Sequence, residues 1–235
     1  MAAIALALYL AGLGLAFGWR SIAQWKATGD AGLRLDAGPP GSVGWSAKLL
    51  FIAALLLGLA GPAAALAGMD PVNVLDHSRL RVTGLVLAVT GVTATLAAQL
   101  NMGTSWRVGV DPAERTALIT DGAFALARNP IFTAMTATSL GLAAMVPNPI
   151  ALAATIVLVA SIQLQVRAVE EPYLARIHGA AYADYAARIG RFWPRNRPPT
   201  STDPSLSAPL THEQSLIVGF SLEATAGPIG ASLSG

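Results

Sequence analysis

The chain has 235 residues, of which 54% are hydrophobic and 12% charged, and its formal net charge is only +2. Soluble domains carry about 25% charged residues, so this composition excludes an ordinary soluble domain and indicates an integral membrane protein. There is no cysteine, which excludes disulfides, thiolate metal sites and a cysteine nucleophile. The three histidines lie far apart in the sequence, and we expect neither a metal site nor a nucleic-acid partner.

Long apolar runs divide the chain. There are five of them, at residues 2–17, 49–66, 82–100, 131–146 and 150–166. A bilayer core of ~30 Å needs about 20 helical residues, so the short fourth and fifth runs would have to stand nearly upright or lean on neighbouring helices. Residues 147–149 (Pro-Asn-Pro) predict a tight turn that makes these two a helical hairpin. Gly84 and Gly91 share one face of the third run, which predicts close approach of a neighbouring helix.

The sequence after the fifth run leaves the membrane but keeps a helical pattern. Tyr182, Tyr185 and Ile189 fall at positions i, i+3 and i+7, which is one face of a helix. The pair His178 and Gly179 predicts the end of the helix before it. We therefore predict an all-α integral membrane protein with five transmembrane helices and a cytoplasmic C-terminal helical segment.

Basic residues are distributed very unequally over the predicted loops. With five spans, only Arg79 and Arg81 fall on one side, and the other thirteen of the 15 lysines and arginines fall on the opposite side. Because basic loops stay in the cytoplasm, we expect the C-terminus to be cytoplasmic and the N-terminus to lie outside. Abundant alanine and glycine, with arginine far in excess of lysine, are typical of a GC-rich prokaryote and hence of an inner membrane.

Two polar clusters flank the predicted hairpin: residues 128–130 (Arg-Asn-Pro) before it, and Arg167 with Glu170 and Glu171 after it. If the hairpin crosses the membrane and returns, both clusters reach one face, where the basic and aromatic residues 182–193 follow. Either arginine alone could be a snorkelling interface residue. Together, the groups suit a zwitterionic, adenine-bearing ligand: a carboxylate pairs with its ammonium, an arginine with its carboxylate, and aromatic faces with its purine and sulfonium.

The motifs LITDGAFALARNPIF, PNP, EEPYL and HGAAYADYAARIGRFWP resemble the isoprenylcysteine carboxyl methyltransferase family. This family belongs to a broader set of membrane methyltransferases that includes the phospholipid methyltransferases. The resemblance covers roughly residues 104–194, so we divide the chain into N-terminal transmembrane helices (1–103), a methyltransferase core (104–197) and a disordered tail (198–235). It implies S-adenosylmethionine as methyl donor, held in a cytoplasm-facing pocket made by the last two spans and the C-terminal segment. A lipophilic acceptor would enter from the bilayer, and membrane lipids would surround the protein.

The resemblance also implies which residues bind the cofactor. They come from both clusters and from the C-terminal segment: Arg128, Asn129, Pro130, Phe132, Arg167, Glu170, Glu171, Tyr182, Tyr185, Arg191 and Trp193. Among them, Glu170 or Glu171 would hold the methionine ammonium. Tyr182 and Tyr185 would close the lid of the pocket.

The candidates for catalysis are Arg128, Glu171 and Arg188. Methyl transfer from a sulfonium is an in-line displacement by an acceptor that the protein must align. The two arginines would orient an anionic acceptor, such as an isoprenylcysteine-type carboxylate or a thiol. An amine acceptor would need a base, and Glu171 would serve.

The chain departs from the family pattern at Asn129, where histidine is common, at Phe132, where tyrosine is common, and at His178, where phenylalanine is usual. Asparagine cannot titrate, so a general base at position 129 is excluded. We expect these changes to affect the choice of acceptor more than the cofactor.

Two other functions remain open. Membrane sterol reductases have a C-terminal region similar to this methyltransferase core but bind NADPH, and Arg195 and Arg197 could bind a ribose phosphate. The Glu170 and Glu171 pair, which would repel phosphate, argues against that function. A non-enzymatic membrane carrier is the third candidate. Its function would be lost by mutations in the spans rather than at the polar clusters.

Overall fold

The computed structural model describes residues 1–33, 38–108 and 117–195. Within these ranges the chain is helical, without a named strand, which confirms the predicted all-α class. The main helices are α1 (Ala2–Thr28), α2 (Val43–Leu66), α3 (Ser78–Asn101), α4 (Pro130–Met145), α5 (Pro149–Gln165) and α6 (Glu171–Arg188). The predicted disordered tail, 198–235, lies outside the described residues.

Four helices in the described ranges are long and apolar enough to cross a membrane: α1, α2, α3 and the helical stretch Pro149–Arg188 that contains α5 and α6. The predicted fourth span, α4, has only 16 residues. Such a helix is about 24 Å long, which is shorter than a bilayer core of ~30 Å. The five-span count therefore stays a prediction. In the helix Pro149–Arg188, the apolar part that can cross is α5, and the residues from Arg167 onward lie beyond it.

Helices α3 and α4 pack together through glycines, as the spacing of Gly84 and Gly91 predicts. A Cβ at Gly91 would lie 2.6 Å from the backbone nitrogen of Thr138, and a Cβ at Gly141 would lie 2.6 Å from the carbonyl oxygen of Gly84. Larger side chains would collide with backbone atoms there, so these positions fix the distance between the two helices.

Helices α2 and α5 form the second close pair, and polar side chains tie them together. Asn148, which is 1% exposed, donates from Nδ2 to the carbonyl oxygen of Gly61 at 2.8 Å. Its Oδ1 accepts from the backbone nitrogen of Ala151 at 2.9 Å and so caps α5. Ser161 donates to the carbonyl oxygen of Ala47 at 3.0 Å. The predicted Pro-Asn-Pro turn is thus confirmed, and its asparagine also holds the helix pair.

Two stretches of π-helix interrupt the regular helices. The first, Gly14–Trp19, lies inside α1, and the second, Val166–Glu170, joins α5 to α6. Helix α6 is broken at Gly179, which has φ 51° and ψ −122°. Only glycine adopts such a conformation easily, so the predicted helix end at this position is confirmed.

Candidate functional site

A cavity of about 230 Å³ lies where α3 ends, α4 begins and α5 passes into α6. The predicted site residues that line it are Arg128, Asn129, Pro130, Phe132, Glu170, Glu171, Tyr182 and Tyr185. Sequence positions up to 57 residues apart thus meet at one cavity, because the hairpin α4–α5 returns the chain to the end from which it started.

The other predicted site residues lie outside this lining. Arg167 is exposed and donates from Nε to Gln163 Oε1 at 2.8 Å. Arg188 is also exposed, and its Nε donates to the carbonyl oxygen of Asp184 at 3.3 Å. Trp193 is 74% exposed. The structure therefore does not bring Arg167, Arg188 or Trp193 together with the other candidates.

Glu171 is clamped between two arginines. Arg191 donates from Nε to Oε1 at 2.8 Å and from Nη2 to Oε2 at 2.6 Å, which is a bidentate pair. Arg128 Nη2 lies 3.0 Å from Oε1 of the same carboxylate. Arg128 also donates from Nη1 to the hydroxyl of Tyr182 at 3.2 Å. Both oxygens of Glu171 are thus occupied by protein groups, and the three charges sum to a net positive one.

Glu170 has a different environment, although it is the adjacent residue. It ends the π-helical stretch, and Gln165 Nε2 donates to its Oε1 at 3.3 Å. No arginine or lysine of the described residues forms an ion pair with it. Burial raises the pKa of Glu170 to about 7; the nearby charge of Glu171 adds to this shift, and the hydrogen bond from Gln165 opposes it. Near neutral pH, Glu170 is the carboxyl group in the cavity that could pair with a cation.

The segment after α6 binds to the start of α4 through its backbone. Arg128 and Asn129 donate from their backbone nitrogens to the carbonyl oxygens of Gly190 (2.9 Å) and Arg191 (3.0 Å). Asn129 Nδ2 donates to the carbonyl oxygen of Arg191 at 3.1 Å, and Thr133 Oγ1 donates to that of Phe192 at 2.9 Å. Asn129 therefore positions the segment that carries Arg191, a function that requires no titratable side chain.

The two tyrosines of α6 are buried against the cavity. Tyr182 is 6% exposed and Tyr185 is 3% exposed, and their rings meet edge to face with centroids 6.4 Å apart. Tyr185 donates its hydroxyl to the carbonyl oxygen of Phe124 at 2.7 Å. Burial raises the pKa of Tyr185 to about 12, so this hydroxyl remains protonated as a donor.

Sequence reasoning missed the part of the cavity lining that α1, α2, the end of α3 and the loop after α3 provide. Phe17, Phe51, Gln99 and Trp106 line it. Trp106 is 2% exposed, and the guanidinium of Arg20 lies 4.8 Å from its ring centroid. One signal was present in the sequence: Gln99 is an amide near the end of a long apolar run, and polar residues in such runs often mark functional sites.

Residues 80–181 match the family model described as phospholipid methyltransferase. The resemblance inferred from the motifs is thus confirmed, because this is the family of membrane methyltransferases that includes the isoprenylcysteine carboxyl methyltransferases. Over these residues the chain is similar to membrane methyltransferases. The matched range contains Arg128, Glu170 and Glu171, whereas Tyr182 and Arg191 lie beyond its end. A comparison with curated proteins gave no match.

Proposed function

We propose that this chain, which matches the phospholipid methyltransferases over residues 80–181, uses S-adenosylmethionine to methylate a lipophilic acceptor at the cytoplasmic face of the membrane. The observation that carries the proposal is the set of polar groups that the cavity leaves available. Glu170 has no cationic partner among the described residues, and Arg128 Nε is buried without a hydrogen-bond partner there. A carboxylate for an ammonium and a guanidinium for a carboxylate match the amino-acid end of S-adenosylmethionine.

The side chain of Arg128 is well prepared to bind an anion. Its Nη1 and Nη2 are held by Tyr182 and Glu171, so the guanidinium cannot easily rotate. A buried N–H without an acceptor costs about 1–3 kcal/mol, and a ligand carboxylate at Nε would remove that cost. The proposed binding of the ligand carboxylate therefore depends on Arg128 Nε, an N–H group without a hydrogen-bond partner among the described residues.

We assign the ligand ammonium to Glu170 rather than to Glu171. Both were open from the sequence, but Glu171 already accepts from Arg128 and Arg191. A third cation at Glu171 would face two like charges at close range, which is unfavourable. Glu171 is therefore proposed as a positioning residue that holds Arg128 and the C-terminal segment in place.

When bound, S-adenosylmethionine supplies a methyl group on a sulfonium, which an aligned acceptor takes by in-line displacement. The residues of this chain bind and orient the cofactor and the acceptor, and they exclude water. Phe17, Phe51 and Trp106 give the cavity an apolar wall that keeps solvent from the reacting groups. Arg188 is exposed on α6 and lies outside the cavity lining, so we do not propose it as the group that orients an anionic acceptor.

An adjoining apolar cavity supports a lipophilic acceptor. It has a volume of about 100 Å³, lies between α1, α2, α3, α4 and α5, and shares Met135 with the larger cavity. The polar side chains in its lining are bonded within the protein: Tyr9 to the carbonyl oxygen of Leu55, Thr95 and Thr138 to carbonyl oxygens of their own helices, and Ser139 to Thr155. A cavity without available polar groups favours a hydrocarbon.

Calorimetric titration of the detergent-purified protein tests the proposal. We expect saturable binding of S-adenosylmethionine and of S-adenosylhomocysteine, and no binding of NADPH. Binding of NADPH alone would favour the membrane reductase instead. If neither S-adenosylmethionine nor NADPH binds, the protein resembles methyltransferases in fold only, and a membrane carrier becomes the better hypothesis.

A further inference from the structure

Gln99 is a buried amide in the lining of the large cavity, and one of its two hydrogen-bonding atoms has no partner among the described residues. The residue is 3% exposed and belongs to the cavity lining. Its Nε2 donates to the carbonyl oxygen of Ala16 at 3.1 Å, whereas its Oε1 is buried and has no hydrogen-bond partner among the described residues. Gln99 thus presents an acceptor that the protein leaves unused.

The orientation of this amide is fixed by the π-helical stretch of α1. Ala16 lies within Gly14–Trp19, and a carbonyl oxygen can accept a hydrogen bond only from the NH2 group of an amide. Nε2 must therefore point to Ala16, and Oε1 must be the other atom. A ligand that satisfies Oε1 must offer an N–H or O–H donor. A carboxylate or a thiolate would be repelled.

The surroundings of Gln99 favour a flat heteroaromatic ring that carries such a donor. Phe17, Phe51 and Trp106 line the same cavity, and the rings of Phe17 and Phe51 meet edge to face with centroids 6.3 Å apart. A glutamine amide oxygen is a suitable acceptor for the exocyclic amine of adenine. The faces of these three rings are apolar, which suits a flat base better than a charged head group.

We infer that Gln99 is a specificity-determining residue whose Oε1 accepts a hydrogen bond from the 6-amino group of the cofactor's adenine. The inference rests on the proposed function, in which Glu170 and Arg128 bind the amino-acid end of the same molecule. Arg128 lies just before α4 and Glu170 lies between α5 and α6, whereas Gln99 lies near the end of α3 and is bonded to α1. An elongated ligand held at its amino-acid end by Glu170 and Arg128 would extend its base toward Gln99.

Calorimetry with two ligands tests this inference without a methyl acceptor. The first ligand is S-adenosylhomocysteine, and the second is its inosine analogue, in which a carbonyl replaces the 6-amino group. We expect the wild-type protein to bind the inosine analogue at least about tenfold more weakly, since it loses one hydrogen bond and sets two oxygens against each other. In Gln99→Met, which removes the acceptor, the two ligands should bind with similar affinity.

Gln24→Met is the matched control. Gln24 is 4% exposed, donates from Nε2 to the carbonyl oxygen of Thr104 at 2.6 Å and has a buried Oε1 without a partner, but it does not line the cavity. This variant should keep the wild-type preference for adenine. Gln99→Glu is a second variant: its buried, protonated carboxyl group can donate to Ala16 and still accept from the ligand, so it should keep the preference too.

Each result supports or overturns the inference. Loss of the preference in Gln99→Met, with retention in Gln24→Met, supports it. Equal binding of the two ligands by the wild-type protein overturns it without any variant, and so does a preference that persists in Gln99→Met. If both methionine variants lose the preference, packing between α1 and α3 is the cause, and the inference is wrong. Failure of S-adenosylhomocysteine to bind at all refutes the proposed function itself.

Discussion

Neutralising the adjacent residues Glu170 and Glu171 should have different consequences for stability and for ligand binding. Glu171→Gln should lower the thermal stability of the protein, whereas Glu170→Gln should weaken ligand binding and leave the stability intact. Both substitutions remove one charge and keep the size of the side chain, so they differ only in position. Glu171 holds Arg128 and, through Arg191, the segment that follows α6. Glu170 has Gln165 as its hydrogen-bond donor and no ion pair within the described residues.

The expected magnitudes follow from these contacts. Glu171 takes part in three charge-assisted contacts, at 2.6, 2.8 and 3.0 Å, and loss of one partner of a fully buried pair costs about 3–5 kcal/mol. Its side chain is 16% exposed, so solvent screens part of this energy and we expect about 2–3 kcal/mol. For a chain of this size that lowers the melting temperature by about 4–12 °C. Loss of a charged hydrogen bond from Glu170 to a ligand costs about 2 kcal/mol, which is about 30-fold in affinity.

Two measurements on the same detergent samples separate the effects: thermal unfolding followed by tryptophan fluorescence, and calorimetric titration with S-adenosylhomocysteine at pH 8. Asp184→Asn is the control, because Asp184 is an exposed carboxylate of α6 outside the cavity lining, and it should behave like wild type in both. The reasoning fails if Glu171→Gln unfolds at the wild-type temperature. It fails equally if Glu170→Gln binds the ligand with wild-type affinity.

Three further predictions concern pH, packing and the residues outside the cavity. Because the pKa of Glu170 is raised to about 7, it is mostly protonated below that pH and must release a proton to pair with an ammonium. The affinity for S-adenosylhomocysteine should therefore fall by up to about tenfold for each pH unit below pH 7. The affinity of Glu170→Gln, measured by calorimetry, should not depend on pH in this way. Asn148→Ala removes both the cap of α5 and the bond to Gly61 and should cost about 2–3 kcal/mol; an unchanged melting temperature would contradict this. Trp193→Ala and Arg188→Ala should leave the dissociation constant of S-adenosylhomocysteine unchanged. A clearly weaker affinity in either variant would show that the substituted residue belongs to the binding site.

The sequence predicted the hairpin more accurately than it predicted the first helix. The runs 131–146 and 150–166 differ by one residue at each end from α4 and α5, because a proline at the first helical position and the Pro-Asn-Pro turn are strong local signals. The run 2–17 ends well before α1, which continues to Thr28. Hydropathy detects apolar residues only, and the end of α1 contains Arg20 and Gln24. Both are buried by the loop after α3, a contact that no local pattern reveals.

The motifs identified one part of the cavity lining and not the other. Residues from Arg128 to Tyr185 were predicted because charged and aromatic groups beside an apolar hairpin are conspicuous. Phe17 and Phe51 were not, since an aromatic residue in an apolar run normally indicates packing. Their part in the cavity depends on how α1 and α2 stand against α3 and α4. That arrangement is set by close contacts such as those of Gly91 and Gly141, which the sequence indicates only as positions of close approach.

The different surroundings of Glu170 and Glu171 have a geometric cause. Glu170 is the last residue of the π-helical stretch Val166–Glu170, and Glu171 is the first residue of α6. Consecutive residues of a helix point about 100° apart, so one carboxylate reaches the arginines while its neighbour does not. The second π-helical stretch, Gly14–Trp19, supplies Phe17 to the cavity lining and the carbonyl oxygen that orients Gln99. Such stretches are rare and occur often at functional sites. Here both flank one cavity, so the local irregularities of two distant helices, rather than any single motif, determine which polar atoms remain available to a ligand.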